Sequence, residues 1–409
     1  MEQTFLTSVD IVKVRHLQNI TIPLSTEKRK HLILTGKNGS GKTSVLDSLA
    51  DHFRYVVGDF CTREEIQHLI DNNRKRIPSG KTEEEKRSAQ KTNENIQFWE
   101  EKMRHWTDGA VTSCNSFATL REKYADGQFI LAYYKADRLS KVEVSSTIEN
   151  IQLKDKYQLN ETPGTKLVKY MVGMKATQAF ALQKKDTGRA AEIEEWFSRF
   201  EGILKKVFDD SSLRLDFDID NFKFHILQDN REPFDFNTMS SGYSAVFDII
   251  NDLMMRMERK KNYSTEGIVL IDEIETHLHL ELQRVILPFL TELFPNIQFI
   301  VTTHSPFVLN SIDNAVIYDL ETQKLVEDGL ANYPYDGIVE GYFHADKLSS
   351  DLRTKVNRYK ELVGKLELTD EDYAEIVELE QDLDEIPDYL SPEIASEYRR
   401  LKLEFLNRG

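Results

Sequence analysis

The sequence predicts an α/β fold in which buried strands end in glycine-rich, charged or polar residues at one edge of a sheet. Three short apolar runs carry this prediction, at residues 31–35, 267–271 and 297–302. The first precedes a glycine-rich stretch and a helical pattern, the second two adjacent carboxylates, and the third a polar segment ending at Pro306. Short apolar runs bounded in this way are typical of buried strands, whose carboxyl ends face ligands in open α/β sheets.

The composition is that of an ordinary globular protein. Its 409 residues are enough for two domains, or for one large domain with insertions. Hydrophobic residues make up 40% and charged residues 30% of the chain, so no large part has to be disordered. The formal net charge of -16 argues against a surface that coats nucleic acid indiscriminately, but it leaves room for a local basic groove.

The cysteines and the start of the chain favour a reducing compartment. Cys61 and Cys114 lie in polar surroundings and lack the spacing of metal ligands. The N-terminal residues show no basic region followed by an apolar one, and no apolar run approaches the length of a membrane span. We therefore expect a cytoplasmic protein without a membrane segment.

The first 125 residues predict a hairpin, a buried strand and a helical region. Residues 8–24 alternate loosely, as in an antiparallel hairpin, and residues 51–125 are polar and helical around a charged loop at Pro78 and Gly80. The basic residues near this loop are Arg74, Lys75, Arg76, Lys81, Lys86, Arg87 and Lys91. Nucleic-acid contact is one interpretation, but the interspersed glutamates at 83–85 favour a solvated face.

The stretch GKNGSGKTS at residues 36–44 fits the pattern G-x-x-x-x-G-K-[ST] between a strand and a helix. Free backbone N–H groups and the positive end of the helix dipole would face an anion there. Lys42 would reach the β- and γ-phosphates of a nucleotide, and Thr43 would place its hydroxyl on Mg²⁺. The predicted nucleotide-binding residues are Gly36, Asn38, Gly39, Ser40, Gly41, Lys42, Thr43 and Ser44. A chance glycine-rich turn is the alternative.

The middle of the chain contains a further strand, helices and an alternating segment. The run at 129–134 predicts a buried strand that ends near Arg138, a candidate site residue, while residues 165–210 predict two helices. Residues 213–227 alternate as a strand does. The aspartates at 216, 218 and 220 resemble a calcium loop, but Asn221 replaces its glycine, so a polar strand face is favoured.

Residues 236–254 predict a helix that begins near Ser240 and Ser241, with Gly242 in its first turn. The next strand ends in Asp272 and Glu273. Asp272 would hold the hydration shell of Mg²⁺, and Glu273 would accept a proton from attacking water. Two uncompensated carboxylates under a core strand would be costly as mere structure.

Histidines follow two of the predicted strands. His277 and His279 hint at a metal, but a role as hydrogen-bonding loop residues is the simpler interpretation. After a helix over 281–293 and a strand over 297–302, His304 would touch the γ-phosphate region, with a purely structural histidine as the alternative.

The ordered motifs GKNGSGKT, MSSGY, VLIDEIETHLH and TTHSP resemble the ABC-type ATPase heads of the SMC and RecF group. They are most similar to the overcoming-lysogenization-defect-like ATPases, often placed in the AAA family, several of which serve bacterial anti-phage systems such as PARIS, Septu and retrons. The resemblance covers about residues 8–320. It implies an ABC-type P-loop ATPase head with helical insertions at 51–125 and 165–210.

The resemblance also implies a mechanism. Ser240 and Gly242 would close on the γ-phosphate of ATP held by Lys42 of a second copy, and hydrolysis by Glu273 with His304 would reopen the pair. Three positions depart from the family: Ile274 and Leu280 replace common prolines, and Tyr243 replaces a Glu or Gln. Without a clear glutamine loop, the segment ending at Arg138 is the best positional substitute.

Residues 331–409 predict a small acidic helical region after the head at 1–330. Residues 361–390 contain twelve acidic residues and one lysine, with a capping box at Thr369 and a second helix starting at Ser391. Family members with their own nuclease carry a TOPRIM domain, which needs an Asp-x-Asp on a strand end. The pairs 370/372 and 382/384 have this spacing but lie in helical patterns, so we expect no effector activity within the chain.

These inferences favour a cytoplasmic ATPase that dimerises through its heads and acts as a sensor or scaffold for a separate effector, a nuclease or toxin, in anti-phage defence. The alternative is a DNA-repair or chromosome-maintenance ATPase that acts directly on DNA. A nucleotide-binding subunit of a transporter is disfavoured, because no membrane-coupling surface is recognisable.

Overall fold

The computed structural model describes residues 3–58, 63–78, 81–138, 141–144, 147–333, 337–338, 350–365, 367–384 and 392–407. Cys61, Gly80 and Ser391, which the sequence analysis mentions, lie outside these ranges. The chain divides into a first unit, Met1–Tyr333, and a second unit, Pro334–Gly409. No helix among the described residues is both long enough and apolar enough to cross a membrane.

The strands, in chain order, are β1 (Leu6–Val14), β2 (Leu17–Pro23), β3 (His31–Thr35), β4 (Ala110–Cys114), β5 (Phe129–Tyr134), β6 (Arg214–Asp218), β7 (Lys223–Leu227), β8 (Glu266–Ile271), β9 (Ile297–Thr302), β10 (Ala315–Asp319) and β11 (Leu325–Val326). The helices are α1 (Lys42–Val56), α2 (Arg63–Lys75), α3 (Glu83–Thr107), α4 (Phe117–Ala125), α5 (Leu167–Gln183), α6 (Thr187–Phe208), α7 (Ser241–Glu258), α8 (Leu280–Leu293), α9 (Pro306–Leu309), α10 (Ser350–Val363), α11 (Asp370–Asp384) and α12 (Pro392–Leu406).

A six-stranded sheet forms the centre of the first unit, in the order β11-β10-β3-β9-β8-β5. Its strands are parallel except for the edge strand β11. Every residue of β3, β5 and β9 is buried, as expected for strands covered on both faces. Because parallel strands end at the same edge, the residues that follow β3, β9, β8 and β5 meet there. The predicted α/β fold is confirmed.

A second sheet, in the order β2-β1-β4, packs beside α1 and its core. The predicted hairpin over 8–24 is confirmed, with Val9 opposite Ile22. The prediction of a wholly helical 51–125 is wrong in one place, because β4 lies within it and pairs with β1. Only five residues long, β4 is a strand because β1 supplies its hydrogen bonds, a partner that the local pattern does not reveal.

The helices of the first unit agree with the predicted patterns. Helix α3 starts with a capping box, in which Thr82 and Glu85 each accept a hydrogen bond from the other's backbone N–H. The predicted helices over 165–210 are α5 and α6, preceded by a 3-10 turn at Pro163–Lys166. The alternating segment 213–227 is a hairpin, and Asp218 accepts hydrogen bonds from the amides of Asp220 and Asn221 at its turn.

Strand β10 was not predicted, although its five residues are all buried and it pairs with β3. A short apolar run of this kind is ambiguous between strand and buried helix. The partner strand settles the ambiguity, because the open side of β3 needs hydrogen bonds that only a neighbouring strand supplies.

The second unit contains α10, α11 and α12 around a small core of its own. Tyr359, Ile376 and Tyr398 are buried in this core. The predicted capping box is confirmed, because Asp372 and Thr369 exchange hydrogen bonds at the start of α11. Arg358 holds Glu375 through two hydrogen bonds of 2.7 and 2.8 Å. The Asp-x-Asp pairs predicted to be helical lie on α11.

Candidate nucleotide-binding site

The glycine-rich loop runs from the end of β3 to the start of α1. Gly36, Gly39 and Gly41 have φ angles of +135°, +84° and +101°, a region that other residues rarely adopt. Gly41 is the N-cap of α1. A Cβ atom on Gly41 would lie 3.0 Å from Leu17 Cδ1, so the loop also packs tightly against the start of β2. The chain here requires glycine for both conformation and space.

Lys42 begins α1 and is buried, with 5% of its surface exposed. Its Nζ donates to the carbonyl oxygens of Gly36 at 2.9 Å and Lys37 at 3.2 Å, so the side chain folds back over its own loop. Burial lowers the pKa of the ammonium, and the charges of Glu273, Glu275 and Asp272 act in the opposite direction. A buried cation therefore lies within electrostatic reach of the carboxylates that follow β8.

The rest of the loop offers polar groups around this cation. Asn38 and Thr43 are exposed, and Ser44 is half-buried in the first turn of α1. The hydroxyl of Ser40 is buried and has no hydrogen-bond partner among the described residues. Buried polar groups are normally paired, so this hydroxyl fits a site that a ligand completes. The free amides of a helix N-terminus add an anion-binding element.

Asp272 and Glu273 follow β8, which is separated by β9 from β3, the strand that leads into the glycine-rich loop. Asp272 is 2% exposed, and its Oδ1 accepts a hydrogen bond of 2.6 Å from Thr302 Oγ1. The same hydroxyl accepts a bond of 2.7 Å from the Glu273 amide. Thr302 therefore connects the two acidic residues and orients the Asp272 carboxylate. Thr302 was not among the predicted site residues, because only the pairing of β8 with β9 brings it here.

Glu273 has a left-handed backbone, with φ of +45°. This conformation costs a residue other than glycine roughly 1–3 kcal/mol and persists only where the surroundings enforce it. Its carboxylate Oε2 accepts a hydrogen bond of 3.1 Å from Thr276 Oγ1. The backbone strain coincides with the residue predicted to activate water.

Glu275 is a site residue that the sequence analysis missed. Its Oε1 accepts a hydrogen bond from the His304 amide, while its Oε2 is buried and has no partner among the described residues. Burial lowers the pKa values of Lys42 and Arg138, and the charge of Glu275 opposes this lowering. The sequence signal for Glu275 was a third acidic residue shortly after Asp272 and Glu273. Its hydrogen bond with the segment after β9, however, depends on the pairing of β8 with β9 in the sheet.

His304 lies half-buried at the end of β9, among these charges. Burial lowers the pKa of its imidazole, and the positive charge of Lys42 lowers it further. Its Nε2 is buried without a hydrogen-bond partner among the described residues. Neutral at physiological pH, the ring can give or receive one hydrogen bond at this free nitrogen.

Ser240 and Gly242 lie at the start of α7. Ser240 is the N-cap, is exposed, and makes no side-chain capping bond. A Cβ atom on Gly242 would lie 2.9 Å from the carbonyl oxygen of His277, so this helix end is pressed against the loop that follows the carboxylates. Contact with a second copy stays a prediction for both residues.

The departures from the family motifs have distinct surroundings. Ile274 is buried at 1% exposure, whereas Leu280 is 60% exposed at the start of α8. The ring of Tyr243 stacks on Phe208, with ring centres 4.1 Å apart.

Arg138, predicted as a nucleotide contact, is buried and donates to backbone carbonyls around Asp272. His277 and His279 are exposed, and no group of three metal-ligand residues occurs among the described residues.

A glycine-rich loop between a buried strand and a helix, with Lys42 at the helix start and a buried Asp272 two strands along the sheet, defines a P-loop nucleotide-binding domain. Residues 111–310, slightly less than half of the chain, match the family model described as "AAA domain, putative AbiEii toxin, Type IV TA system". The matched region includes both carboxylates and His304 and begins after the phosphate loop.

The chain is also similar to parts of several curated proteins. The "Septu protein PtuA" of Bacillus mycoides (strain KBAB4) is 43% identical over 88 residues, 21% of this chain and 12% of that protein. The "Retron Ec83 probable ATPase" of Escherichia coli is 37% identical over 143 residues, 33% of this chain and 26% of that protein. The "Retron Vc95 probable ATPase" of Vibrio cholerae serotype O1 biovar El Tor is 26% identical over 247 residues, 56% and 44% respectively.

The chain thus spans less than half the length of these relatives. The predicted resemblance to the ATPases of the Septu and retron systems is confirmed. Among solved structures, the Smc head domain of Pyrococcus furiosus is similar at 13% identity and a TM-score of 0.39, covering 83% of this chain and 100% of that one. This TM-score is too low to support the fold, which rests on the sheet order and loop of this chain.

Proposed function

We propose that this chain binds ATP with Mg²⁺ and hydrolyses the terminal phosphate. The observation that carries the proposal is the buried Lys42 ammonium, in a glycine-rich loop, within electrostatic reach of Asp272, Glu273 and Glu275. A lone structural ion pair would not need three carboxylates and a strained glutamate, nor buried polar atoms on Ser40 and His304 that have no hydrogen-bond partner in the part of the chain that the structure describes.

Each residue has a distinct task in the proposed reaction. Lys42 and the amides at the start of α1 bind the phosphates. Thr43 and Asp272 would hold Mg²⁺, which neutralises charge that develops on the phosphate oxygens. Glu273 orients the attacking water and accepts its proton, and His304 offers its free nitrogen near the transferred group. Thr302 keeps the Asp272 carboxylate in place.

We further propose that two copies of the chain close around ATP. Ser240 and Gly242 of one copy would contact the nucleotide held by Lys42 of the other. The exposed Ser240 hydroxyl, which makes no capping bond in its own helix, supports this role. Oligomers larger than a pair of heads are compatible with the same contact.

The biological role that fits these relatives is anti-phage defence in the cytoplasm. We propose that the ATPase acts as a sensor or scaffold and controls a separate effector protein, a nuclease or a toxin. Direct action on DNA is the second candidate, through the basic residues of α2 and α3. Arg74 pairs with Glu100 at 2.6 Å and Lys86 with Glu83 at 2.6 Å, which weakens that candidate. Salt-dependent DNA binding that is lost in an R74A/K75A/R76A variant would favour it.

Two substitutions test the ATPase. Lys42→Ala should weaken ATP binding about 100-fold, because a buried charge-assisted contact with the phosphates is lost. Glu273→Gln should keep ATP affinity while hydrolysis falls by about 10²–10⁴-fold, because the proton acceptor is removed. Equilibrium nucleotide binding and phosphate release measure the two effects separately. Rapid hydrolysis by the Glu273→Gln variant would refute the assigned base, and unchanged binding by Lys42→Ala would refute the site.

A further inference from the structure

Arg138 makes an unusual set of hydrogen bonds just after β5. Its Nη1 donates to the carbonyl oxygens of Lys135 at 3.2 Å and Asp272 at 2.7 Å. Its Nη2 donates to the carbonyl oxygens of Glu273 at 3.0 Å and Ile274 at 2.9 Å. Each terminal nitrogen of a guanidinium carries two hydrogens, so four donors meet four backbone acceptors. The two terminal nitrogens are thus fully used, while the Nε is buried and has no hydrogen-bond partner among the described residues.

The three carbonyls of residues 272–274 belong to the loop that carries the predicted catalytic base. They are consecutive, and they converge on one guanidinium because Glu273, between the other two, has φ of +45°. In an extended strand consecutive carbonyls point to alternate sides, so a single cation would not reach all three. The left-handed residue and the arginine therefore require each other.

We propose that Arg138 is a positioning residue, which holds the backbone of residues 272–274 in its strained form and so directs the Glu273 carboxylate, and that it does not bind nucleotide. This replaces the prediction of a nucleotide contact. Its catalytic consequence rests on the proposed ATPase activity, whereas its effect on the loop does not.

Burial and charge support this assignment. Arg138 is 8% exposed, and burial lowers its pKa to about 10 while Glu275 and Asp248 raise it. The guanidinium is therefore charged at neutral pH, and charge strengthens each hydrogen bond to a carbonyl. Lysine would not substitute well, because its compact ammonium lacks the planar fork that spans neighbouring carbonyls.

A second contact holds the same loop from the opposite strand. Thr302 on β9 accepts the Glu273 amide, and its carbonyl accepts the Ile274 amide at 3.1 Å. The N–H groups of Glu273 and Ile274 are thus bound by Thr302 of β9, and that of Asp272 donates to the Tyr134 carbonyl of β5 at 2.8 Å. Removing the arginine leaves the carbonyls of Asp272 and Ile274 without a donor among the described residues, whereas the Glu273 carbonyl still accepts the Thr276 amide at 2.9 Å. Because the amide contacts also remain, the loop should loosen locally rather than unfold.

The test compares Arg138→Ala with Arg256→Ala, which controls for the loss of a buried arginine. Arg256 donates to the backbone carbonyls of Leu131, Gln158 and Glu161 and pairs with the Asp252 carboxylate at 2.7 Å, but it donates to no carbonyl in residues 272–274. In nucleotide-free protein, hydrogen exchange at amides 272–276 should accelerate in Arg138→Ala, and not selectively in Arg256→Ala. Millimolar guanidinium should slow the exchange again by refilling the vacated position.

Kinetics complete the experiment. Arg138→Ala should lower kcat about 100-fold, as expected when a catalytic group is displaced, while the Kd for ATP stays within about threefold. Added guanidinium should restore part of kcat. Arg138→Lys, which keeps the charge, should lose most of kcat as well and covers the case in which the alanine variant fails to fold.

Two results would overturn the proposal. One is a rise in the Kd for ATP that matches the loss of kcat, with unchanged exchange at residues 272–276, because Arg138 would then be a nucleotide ligand. The other is full activity and normal exchange in Arg138→Lys. If the wild-type protein bound but did not hydrolyse ATP, the ATPase proposal would fail, and the exchange experiment would still decide whether Arg138 holds the loop.

Discussion

Helices α1 and α7 begin in different ways. Lys42 at the start of α1 is within electrostatic reach of the carboxylates after β8, and Gly242 at the start of α7 packs against the His277 carbonyl in the same loop. Helix α1 begins after Gly41, with φ of +101°, and its first residue is the buried Lys42. Helix α7 begins after Ser240, which has an extended backbone with φ of -60° and an exposed hydroxyl. Both present helix N–H groups, but only α1 adds a buried cation.

The start of α1 is therefore a site that one chain can form alone. The start of α7 is a surface without a buried cation of its own that could bind a ligand. At α1 the glycine-rich loop, the lysine and the N-terminus of the helix all lie within nine consecutive residues, 36–44. At α7 the tight contact of Gly242 with His277 holds the start of the helix against the loop after β8, while Ser240 is exposed. Substitutions at the two starts should therefore affect different steps.

Gly41→Ala should produce the largest effect. The new Cβ would lie 3.0 Å from Leu17 Cδ1 at a φ that alanine avoids, so we expect a loss of roughly 1–3 kcal/mol of stability and about 100-fold weaker ATP binding. Gly39→Ala is the control for backbone strain alone, because its φ is also positive but its Cβ would meet nothing within 4 Å. Equal destabilisation by both would show that packing on Leu17 is unimportant. Chemical denaturation and nucleotide titration measure these quantities.

Gly242→Ala should act on hydrolysis instead of binding. Its Cβ would lie 2.9 Å from the His277 carbonyl oxygen, so the start of α7 must move away from the loop after β8. We expect kcat to fall on the order of 10–100-fold with ATP affinity nearly unchanged. Gly202→Ala in α6, where a Cβ meets nothing, is the control and should leave kcat unaltered. An equal loss of affinity in Gly242→Ala would contradict the division between the two helix starts.

Acidification should destabilise the strand and helix on either side of the phosphate loop. Burial lowers the pKa of His31 on β3 to about 3 and of His52 on α1 to about 4. Both accept a backbone N–H at a ring nitrogen, from Phe299 at 3.0 Å and Thr112 at 3.3 Å, which requires the neutral ring. Helix α7 contains no histidine.

The sign follows from the unfolded chain, which binds a proton at each histidine below pH 6.5 while the folded protein does not. The stability due to the neutral rings is complete above pH 6.5 and falls as the pH drops toward the folded-state values. At pH 5 each histidine should cost about 2 kcal/mol of unfolding free energy. The pH dependence should flatten in a H31Q/H52Q variant, and an unchanged slope would exclude these two residues as its source.

Ser240→Ala should have the smallest effect on stability. Because Ser240 makes no capping bond, we expect a change below about 0.5 kcal/mol, less than usual for an N-cap serine. Ser116 at the start of α4 does accept a bond, of 3.2 Å, from the Thr119 amide, so Ser116→Ala should cost about 1 kcal/mol. ATP-dependent dimerisation, measured by sedimentation, should weaken only in Ser240→Ala. Normal dimerisation there would argue against the proposed contact.

The parts of the protein that depend on neighbouring residues could be predicted before the fold was known. The strand, loop and helix around Lys42 are contiguous, and their apolar periodicity and glycine spacing follow from local geometry. The buried run before Asp272 and Glu273 was equally plain. The capping box at Thr369 was also predicted, and the capping box at Thr82 has the same pattern of a threonine followed three residues later by an acidic residue.

The distant residues that support these parts became apparent only in the folded chain. Strands β4 and β10 exist because β1 and β3 offer hydrogen bonds to them. Thr302 and Arg138 contact the loop after β8, and Glu275 of that loop accepts the His304 amide, because three parallel strands end at one sheet edge. The donor and acceptor groups of that loop must be paired once they are buried. Strand order and the pairing of buried polar groups are properties of the folded chain, and no local pattern encodes them.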